Sequence, residues 1–187
     1  MTVDQLNEAI AFAAKKHADK KRKGTNIPYI VHPMEAAAIT AYLTDDLEVI
    51  AAAVLHDVVE DSDATKEDLE KLFGKRVAEL VASESEDKME YMPASDSWKV
   101  RKQHTIDQLI DKNRDEQIIV LGDKLSNMRT LYKDYCTIGD EVWQRFNQKD
   151  KSEHAWYYKS VAERLNKLYD TVPYREYVDL IDRVFSE

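Results

Sequence analysis

Two histidines and two aspartates are the side chains of this sequence best suited to metal chemistry: His32, the adjacent pair His56-Asp57, and Asp123. His56-Asp57 and Asp123 interrupt apolar stretches that otherwise look buried. Burying several ionisable groups is costly unless something pairs with them, and a divalent cation is the simplest partner. Two imidazoles and two carboxylates suit Mn²⁺, Fe²⁺, Co²⁺ or Zn²⁺, and suit Mg²⁺ less well because it prefers oxygen ligands. The sequence therefore predicts a site for one divalent metal ion.

Each of these residues also has an ordinary structural explanation. His32 could cap a helix, His56 could be a hydrogen-bonded core histidine, and the two aspartates could form buried ion pairs. Taken singly, each residue fits that explanation at least as well as it fits a metal ligand. The combination favours the metal, because Glu60 and Asp61 follow the His-Asp pair at helical spacing and crowd the same sector of one helix.

The composition indicates which elements hold these side chains. The chain of 187 residues contains only 4 glycines and 4 prolines, which favours long helices over an all-β fold with its many turns. The length fits one domain, so we expect a single-domain, all-α helical bundle over residues 1–187. The single cysteine, Cys136, excludes an intrachain disulfide.

Hydrophobic periodicity predicts the helices around the candidate ligands. Pro33 should open a helix beside the first histidine. A helix from Leu47 to Glu60, apolar on most faces, should be central and carry the His-Asp pair. A buried helix from Glu116 to Tyr132 should carry the second aspartate. We expect a break over residues 134–139, followed by C-terminal helices that belong to the same domain.

Charge limits the class of ligand. The formal net charge of −9 disfavours general binding to DNA or RNA phosphates. A small phosphorylated substrate stays compatible with this charge, since a metal ion and a few local cations can hold it. No apolar run approaches the roughly 18 residues of a membrane span, and the first residues lack the features of a signal peptide. We expect a cytoplasmic protein that binds no membrane, and an oligomer is possible.

Three motifs resemble the HD-superfamily phosphohydrolases. They are Tyr29-Ile30-Val31-His32-Pro33, Leu55-His56-Asp57-Val58-Val59-Glu60-Asp61 and Asp123-Lys124-Leu125-Ser126-Asn127-Met128-Arg129-Thr130. More narrowly, they resemble the hydrolase domain of the Rel/SpoT enzymes and the small alarmone hydrolases, over about residues 6–130. The resemblance implies an HD-type helical bundle with a buried metal site.

The resemblance also implies roles for individual residues. The metal ligands would hold one Mn²⁺, and they are His32, His56, Asp57 and Asp123. Glu60 and Asp61 match the pair that works on the attacking water. The implied substrate contacts are Arg22, Lys23, Lys88, Arg101 and Asn127. Arg22 and Lys23 match a basic element that packs on the base, although the register of this turn stays open between them.

The implied reaction is the hydrolysis of guanosine 3′,5′-bis(diphosphate) and its triphosphate form, together (p)ppGpp, to GDP or GTP and pyrophosphate. Two alternatives stay open: an HD-type nucleotidase or phosphodiesterase acting on another nucleotide, and an inactive, metal-stabilised regulatory module that binds nucleotides. The sequence departs from the family at Gly122, where alanine is more frequent, and at Ser126, where histidine or tyrosine is usual. The segment 134–158 is longer than compact hydrolases need. Within it, His154 and Tyr158 are expected in the core, with contact to the substrate as the alternative.

Overall fold

The computed structural model describes residues 1–85, 89, 91 and 93–186, with only the backbone of 94 and 95. Within these residues the chain forms α-helices, one 3-10 helix over Gly139–Arg145, and no β-strand, so the predicted all-α class is confirmed. None of these helices is long and apolar enough to cross a membrane. The α-helices are α1 (Val3–Lys16), α2 (Val31–Thr40), α3 (Leu47–Leu55), α4 (Val58–Asp61), α5 (Lys66–Phe73), α6 (Lys75–Glu84), α7 (Ala94–Gln108), α8 (Arg114–Ile138), α9 (Lys151–Arg164) and α10 (Val172–Phe185).

The core forms where α8 packs against α2, α3 and α10. Helix α3 buries six of its nine residues, and a continuous run from Gln117 to Asp123 is buried in α8. Gly122 allows α8 to approach α2 closely. A Cβ atom at Gly122 would lie 2.7 Å from the carbonyl oxygen of Ala36 and 2.8 Å from Oγ1 of Thr40. The absent side chain therefore sets the spacing of the two helices that carry His32 and Asp123.

The predicted continuous helix from Leu47 to Glu60 is wrong, because it is interrupted at His56-Asp57. Helix α3 ends at Leu55 and the short α4 begins at Val58. The carbonyl oxygen of Ala53 accepts a hydrogen bond from Nδ1 of His56 at 2.7 Å. In an uninterrupted helix that carbonyl would accept from the Asp57 N–H. The side-chain bond thus competes with the helical ladder at the point where the two side chains enter the site.

The predicted break over residues 134–139 is also wrong, because α8 continues to Ile138. Leu131, Tyr135 and Ile138 lie at helical spacing and pack on the core, while Lys133, Cys136 and Thr137 between them are exposed. The helix ends at Gly139, whose φ of 58° is readily adopted only by glycine. The next segment returns toward the site as the 3-10 helix. Helix α9 then ends at Arg164.

Candidate metal centre and adjoining cavities

The side chains predicted as metal ligands converge at the junction of α2, α8 and the end of α3. One ligand atom from each of His32, His56 and Asp57 lies within 4.8 Å of the others. Nε2 of His56 is 3.0 Å from Oδ2 of Asp57. Oδ1 of Asp123 is 3.1 Å from Nε2 of His32 and 3.7 Å from Nε2 of His56. Four potential ligand atoms therefore face one another in a mostly buried space.

Both imidazoles are oriented by hydrogen bonds at Nδ1. His56 Nδ1 donates to a backbone carbonyl, so this nitrogen keeps a proton and Nε2 is the atom that can bind a metal ion. His32 Nδ1 lies 2.8 Å from Oγ of Ser126. Nε2 of His56 is buried and has no hydrogen-bond partner among the described residues. An unpartnered imidazole nitrogen facing two carboxylates is what a divalent cation requires, so the donor set fits a metal ion.

Electrostatics keep both carboxylates ionised. Burial would raise the pKa of Asp57, but the neighbouring His56 lowers it well below the usual range. Burial likewise opposes ionisation of Asp123, but Lys124, His32 and His56 together lower its pKa well below the usual range. Burial also lowers the pKa of His56, yet the two carboxylates outweigh this and raise it to about 10. When no metal ion is bound, the two carboxylate charges therefore stabilise the protonated form of His56.

Hydrogen bonds fix the two carboxylates in place. The Tyr29 hydroxyl donates to Oδ2 of Asp57 at 2.6 Å. Nδ2 of Asn127 donates to Oδ1 of Asp123 at 2.6 Å, and Nζ of Lys124 lies 2.5 Å from Oδ2 of the same residue. Such partners orient ligands before a metal binds. Tyr29, Asn127 and Lys124 therefore orient the two carboxylates before a metal ion binds.

A chain of polar contacts extends from His32 to helix α10. Oγ of Ser126 donates to Oε2 of Glu35 at 2.7 Å, and Nη1 of Arg129 donates to Oε1 of Glu35 at 3.1 Å. Arg129 then makes a two-pronged contact with Glu176 at 2.6 and 2.7 Å. The sequence reasoning missed this chain, although Glu35 follows His32 by three residues and Ser126 follows Asp123 by three. That spacing places them on the ligand-bearing helix faces.

The ligand atoms open into a cavity of about 170 Å³, termed here the metal cavity. Glu60 lines it, together with the cations Lys102, Lys112 and Lys124. Lys112 is nearly buried and forms an ion pair of 2.8 Å with Glu84, whose pKa burial raises. A wall with several ammonium groups beside a metal site suits a phosphorylated ligand. The sequence reasoning assigned no role to Lys112 or Glu84.

A second cavity of about 430 Å³, termed here the outer cavity, adjoins the metal cavity. Tyr29 and Asn127 line both cavities and so form the boundary between them. Nη2 of Arg22 donates to Oδ1 of Asn127 at 2.8 Å, and Nζ of Lys23 lies 5.7 Å from the Phe146 ring. Both members of the basic turn therefore line the same cavity, and the register of the turn stays a prediction.

The structure separates the two carboxylates predicted to handle water. Glu60 lines the metal cavity, whereas Asp61 lines the outer cavity and lies 3.6 Å from Nζ of Lys20. Arg101 is not among the residues that line either cavity, and its Nε donates to Oγ of Ser97 at 3.3 Å. Lys88 lies outside the described residues. The roles assigned to these four side chains stay predictions.

The segment after α8 contributes to the outer cavity more than the sequence indicated. His154 is buried among Trp98, Trp143 and Phe146, so its expected place in the core is what the structure shows. Tyr158 lines the outer cavity. Further residues on this wall were not identified from the sequence, and they are Asp134, Arg145 and Phe146. The only sequence signal for these residues was the unusual length of the segment 134–158.

Comparison with known proteins agrees with this geometry. Residues 9–150 match the HD domain family, and the chain belongs to it. The resemblance noted from the three motifs is thereby confirmed, and the protein is a metal-dependent hydrolase.

Within the family, the chain is similar to enzymes of alarmone metabolism. It is 37% identical over 135 residues to guanosine-3′,5′-bis(diphosphate) 3′-pyrophosphohydrolase MESH1 of Danio rerio, covering 71% of each chain. It is also 37% identical over 131 residues to the bifunctional (p)ppGpp synthase/hydrolase SpoT of Escherichia coli K12, covering 69% of this chain and 18% of that much longer relative. A solved structure described as a metazoan ortholog of SpoT that hydrolyzes ppGpp superposes with a TM-score of 0.76 at 29% identity, over 96% of this chain and 94% of that one.

Proposed function

We propose that this protein removes the 3′-diphosphate of (p)ppGpp as pyrophosphate and releases GDP or GTP. One observation carries the proposal: four oriented ligand atoms open into a cavity that is lined by Glu60 and by lysines. Similarity to the MESH1 and SpoT enzymes supports the choice of substrate. Mn²⁺ fits the mixed nitrogen and oxygen donors, and we propose it as the metal held by His32, His56, Asp57 and Asp123.

A bound metal ion would lower the pKa of a water molecule and offset charge on the phosphoryl group. The residues of the chain supply the rest of the reaction. Glu60 takes a proton from the water as its oxygen bonds to the phosphorus of the 3′-diphosphate. The bond between that phosphorus and the 3′ oxygen breaks, and Glu60 gives the proton that it took from the water to the 3′ oxygen. Lys102, Lys112 and Lys124 stabilise the charge on the departing pyrophosphate.

The position of the two cavities supports a nucleotide with phosphates at its 3′ side. The metal cavity is too small for a whole nucleotide, whereas the outer cavity falls within the usual size of ligand sites, roughly 300–1,000 Å³. The diphosphate would occupy the first and the nucleoside the second, with the sugar passing Tyr29 and Asn127. Arg22 and Lys23 lie on the nucleoside side, as expected for contacts that grip substrate and transition state alike.

The deciding experiment is a nucleotide panel assayed for pyrophosphate and phosphate release after chelation and reloading with Mn²⁺. We expect turnover of ppGpp with Mn²⁺, none after chelation, and little turnover of plain 5′-nucleotides. Asp123→Asn serves as the control that should lose bound metal and activity together. Turnover of 5′-nucleotides without turnover of ppGpp would establish a nucleotidase, and tight ppGpp binding without pyrophosphate release would establish the regulatory module.

A further inference from the structure

Part of the wall of the outer cavity comes from the segment that follows α8. The 3-10 helix ends at Arg145, and Arg145 and Phe146 line the cavity together with Arg22, Asn127 and Tyr29. If the proposed substrate places its 3′-diphosphate in the metal cavity, its base extends toward this wall. The wall is therefore the part of the protein placed to distinguish one base from another.

Arg145 is held rigidly on this wall. Its Nη1 donates to Oδ2 of Asp134 at 2.6 Å. Its side chain also lies directly against Gly24, since a Cβ atom there would come within 2.6 Å of Cδ and 2.7 Å of Nε. Gly24 has a φ of 71°, so glycine satisfies both the turn and the close approach. Two separate contacts thus fix the plane of the guanidinium group.

The donors of Arg145 are only partly used. In the part of the chain that the structure describes, its side chain hydrogen-bonds with Asp134 alone, and a guanidinium carries several further N–H groups. Asp134 also offsets its positive charge, whereas Lys21, Arg22 and Lys23 line the same cavity and form no ion pair among the described residues. An oriented and charge-compensated guanidinium is better suited to a neutral planar partner than to a phosphate.

The chemistry of purine bases identifies that partner. Guanine presents two adjacent acceptors, N7 and O6, which match the fork of an arginine, whereas adenine presents N7 beside an amino donor. Phe146, the next residue, offers a ring on which a base could stack without regard to its identity. The two neighbours therefore divide the work, with stacking from Phe146 and discrimination from Arg145.

We propose that Arg145, oriented by Asp134, recognises the N7 and O6 edge of guanine and makes the outer cavity selective for guanosine nucleotides. This inference rests on the proposed function, because it concerns the base of the same substrate. Arg145 is then a specificity residue that touches substrate, and Asp134 is a positioning residue that acts through it.

The test compares kcat/KM for ppGpp with kcat/KM for its adenosine counterpart, ppApp, in the Mn²⁺-loaded protein. Wild type should prefer ppGpp. Arg145→Ala should lower kcat/KM for ppGpp by about 10- to 100-fold, the usual value of a bidentate contact to a base. It should leave ppApp nearly unchanged, so the preference collapses. Arg145→Lys should behave like the alanine variant, because lysine keeps the charge and loses the fork.

Two controls separate specificity from stability and from stacking. Arg183→Ala removes an exposed arginine that is also paired with an aspartate, Asp179, and should leave kcat/KM unchanged for both substrates. Phe146→Ala should lower kcat/KM for both substrates by similar factors. If circular dichroism shows that Arg145→Ala does not fold, the test rests on the substrate preference of wild type compared with that of Arg145→Lys.

The outcomes are separable from those of the proposed function. An equal loss of kcat/KM on both substrates in the Arg145 variants would show a phosphate contact and overturn the inference. The inference would also be overturned if the variants lost no activity, or if wild type did not prefer ppGpp. If wild type cleaves neither substrate, the proposed function fails, and thermal-shift titration with GDP against ADP still tests the base. Stabilisation by GDP that exceeds that by ADP and disappears in Arg145→Lys would support the inference, and equal shifts would overturn it.

Discussion

The metal centre and the outer cavity are built in different ways. The metal centre takes its ligands from two helices and one helix end that form the core, and hydrogen bonds from neighbouring residues orient them. The outer cavity is lined partly by connecting segments, such as the turn whose Arg22 donates to Asn127 of α8. Its walls are a turn, a 3-10 helix and the end of α8. We infer that the core fixes the chemistry, while the peripheral segments select the substrate.

The largest expected effect comes from Glu60 and Asp61, which belong to one motif but line different cavities. Glu60→Gln should lower kcat by roughly 10²- to 10⁴-fold, the usual contribution of general acid–base catalysis, and retain metal. Asp61→Asn should raise KM more than it lowers kcat, because the residue borders the nucleoside. Steady-state kinetics with metal analysis measure both changes. An equal loss of kcat in the two variants would contradict the assignment of chemistry to the metal cavity and of nucleoside binding to the outer cavity.

Ser126 tests how far the metal centre extends. Ser126→Ala removes the link between His32 and Glu35, so the apparent affinity for Mn²⁺ should fall by about 10- to 100-fold, the usual effect of a lost outer-shell partner. Isothermal titration of the chelated protein gives this affinity. Ser160→Ala, on α9, is the matched control and should leave Mn²⁺ binding unchanged. If the affinity of Ser126→Ala for Mn²⁺ is unaltered, then only the direct ligands contribute to metal binding.

The dependence of metal binding on pH follows from His56. Its pKa is raised to about 10, so the imidazole is protonated at neutral pH when no metal is bound. The Nδ1 proton is held by Ala53, and a cation must therefore displace the proton on Nε2. Mn²⁺ affinity should rise by about tenfold per pH unit up to the pKa, with about one proton released. Titration in buffers of different ionisation enthalpy counts the protons, and binding without proton release would contradict the assignment.

The smallest expected effect concerns Gly122, which lies under the metal centre. Gly122→Ala gains helix propensity but forces α8 away from α2, and the overpacking outweighs the gain, so unfolding free energy should fall by about 1–2 kcal/mol. Chemical denaturation measures this change. Lys133→Ala, an exposed position on the same helix, should alter stability by less than about 0.5 kcal/mol. A more stable Gly122→Ala protein would mean that the two helices adapt easily.

The candidate metal ligands could be predicted from the sequence because the information that marks them is local. Histidine and carboxylate types, helical spacing and apolar surroundings are visible within short motifs, as at Glu60 and His56. The break of α3 was missed because it depends on a side-chain bond to Ala53, which periodicity does not reveal. Arg145 could not be predicted, since its role depends on where a 3-10 helix meets Gly24. The same holds for Glu176, whose link to His32 appears only when α10 packs against α8.

Asn127 belongs to both regions, and this has a thermodynamic consequence. One face of its amide donates to the metal ligand Asp123, and the other accepts from Arg22. A nucleotide that alters the position of Arg22 changes the orientation of the amide, and hence the field at the metal. Linkage requires the effect to be reciprocal, so the metal changes the affinity for the nucleotide by the same factor as the nucleotide changes the affinity for the metal. Through this single amide, the binding of the cofactor and the binding of the substrate are thermodynamically coupled.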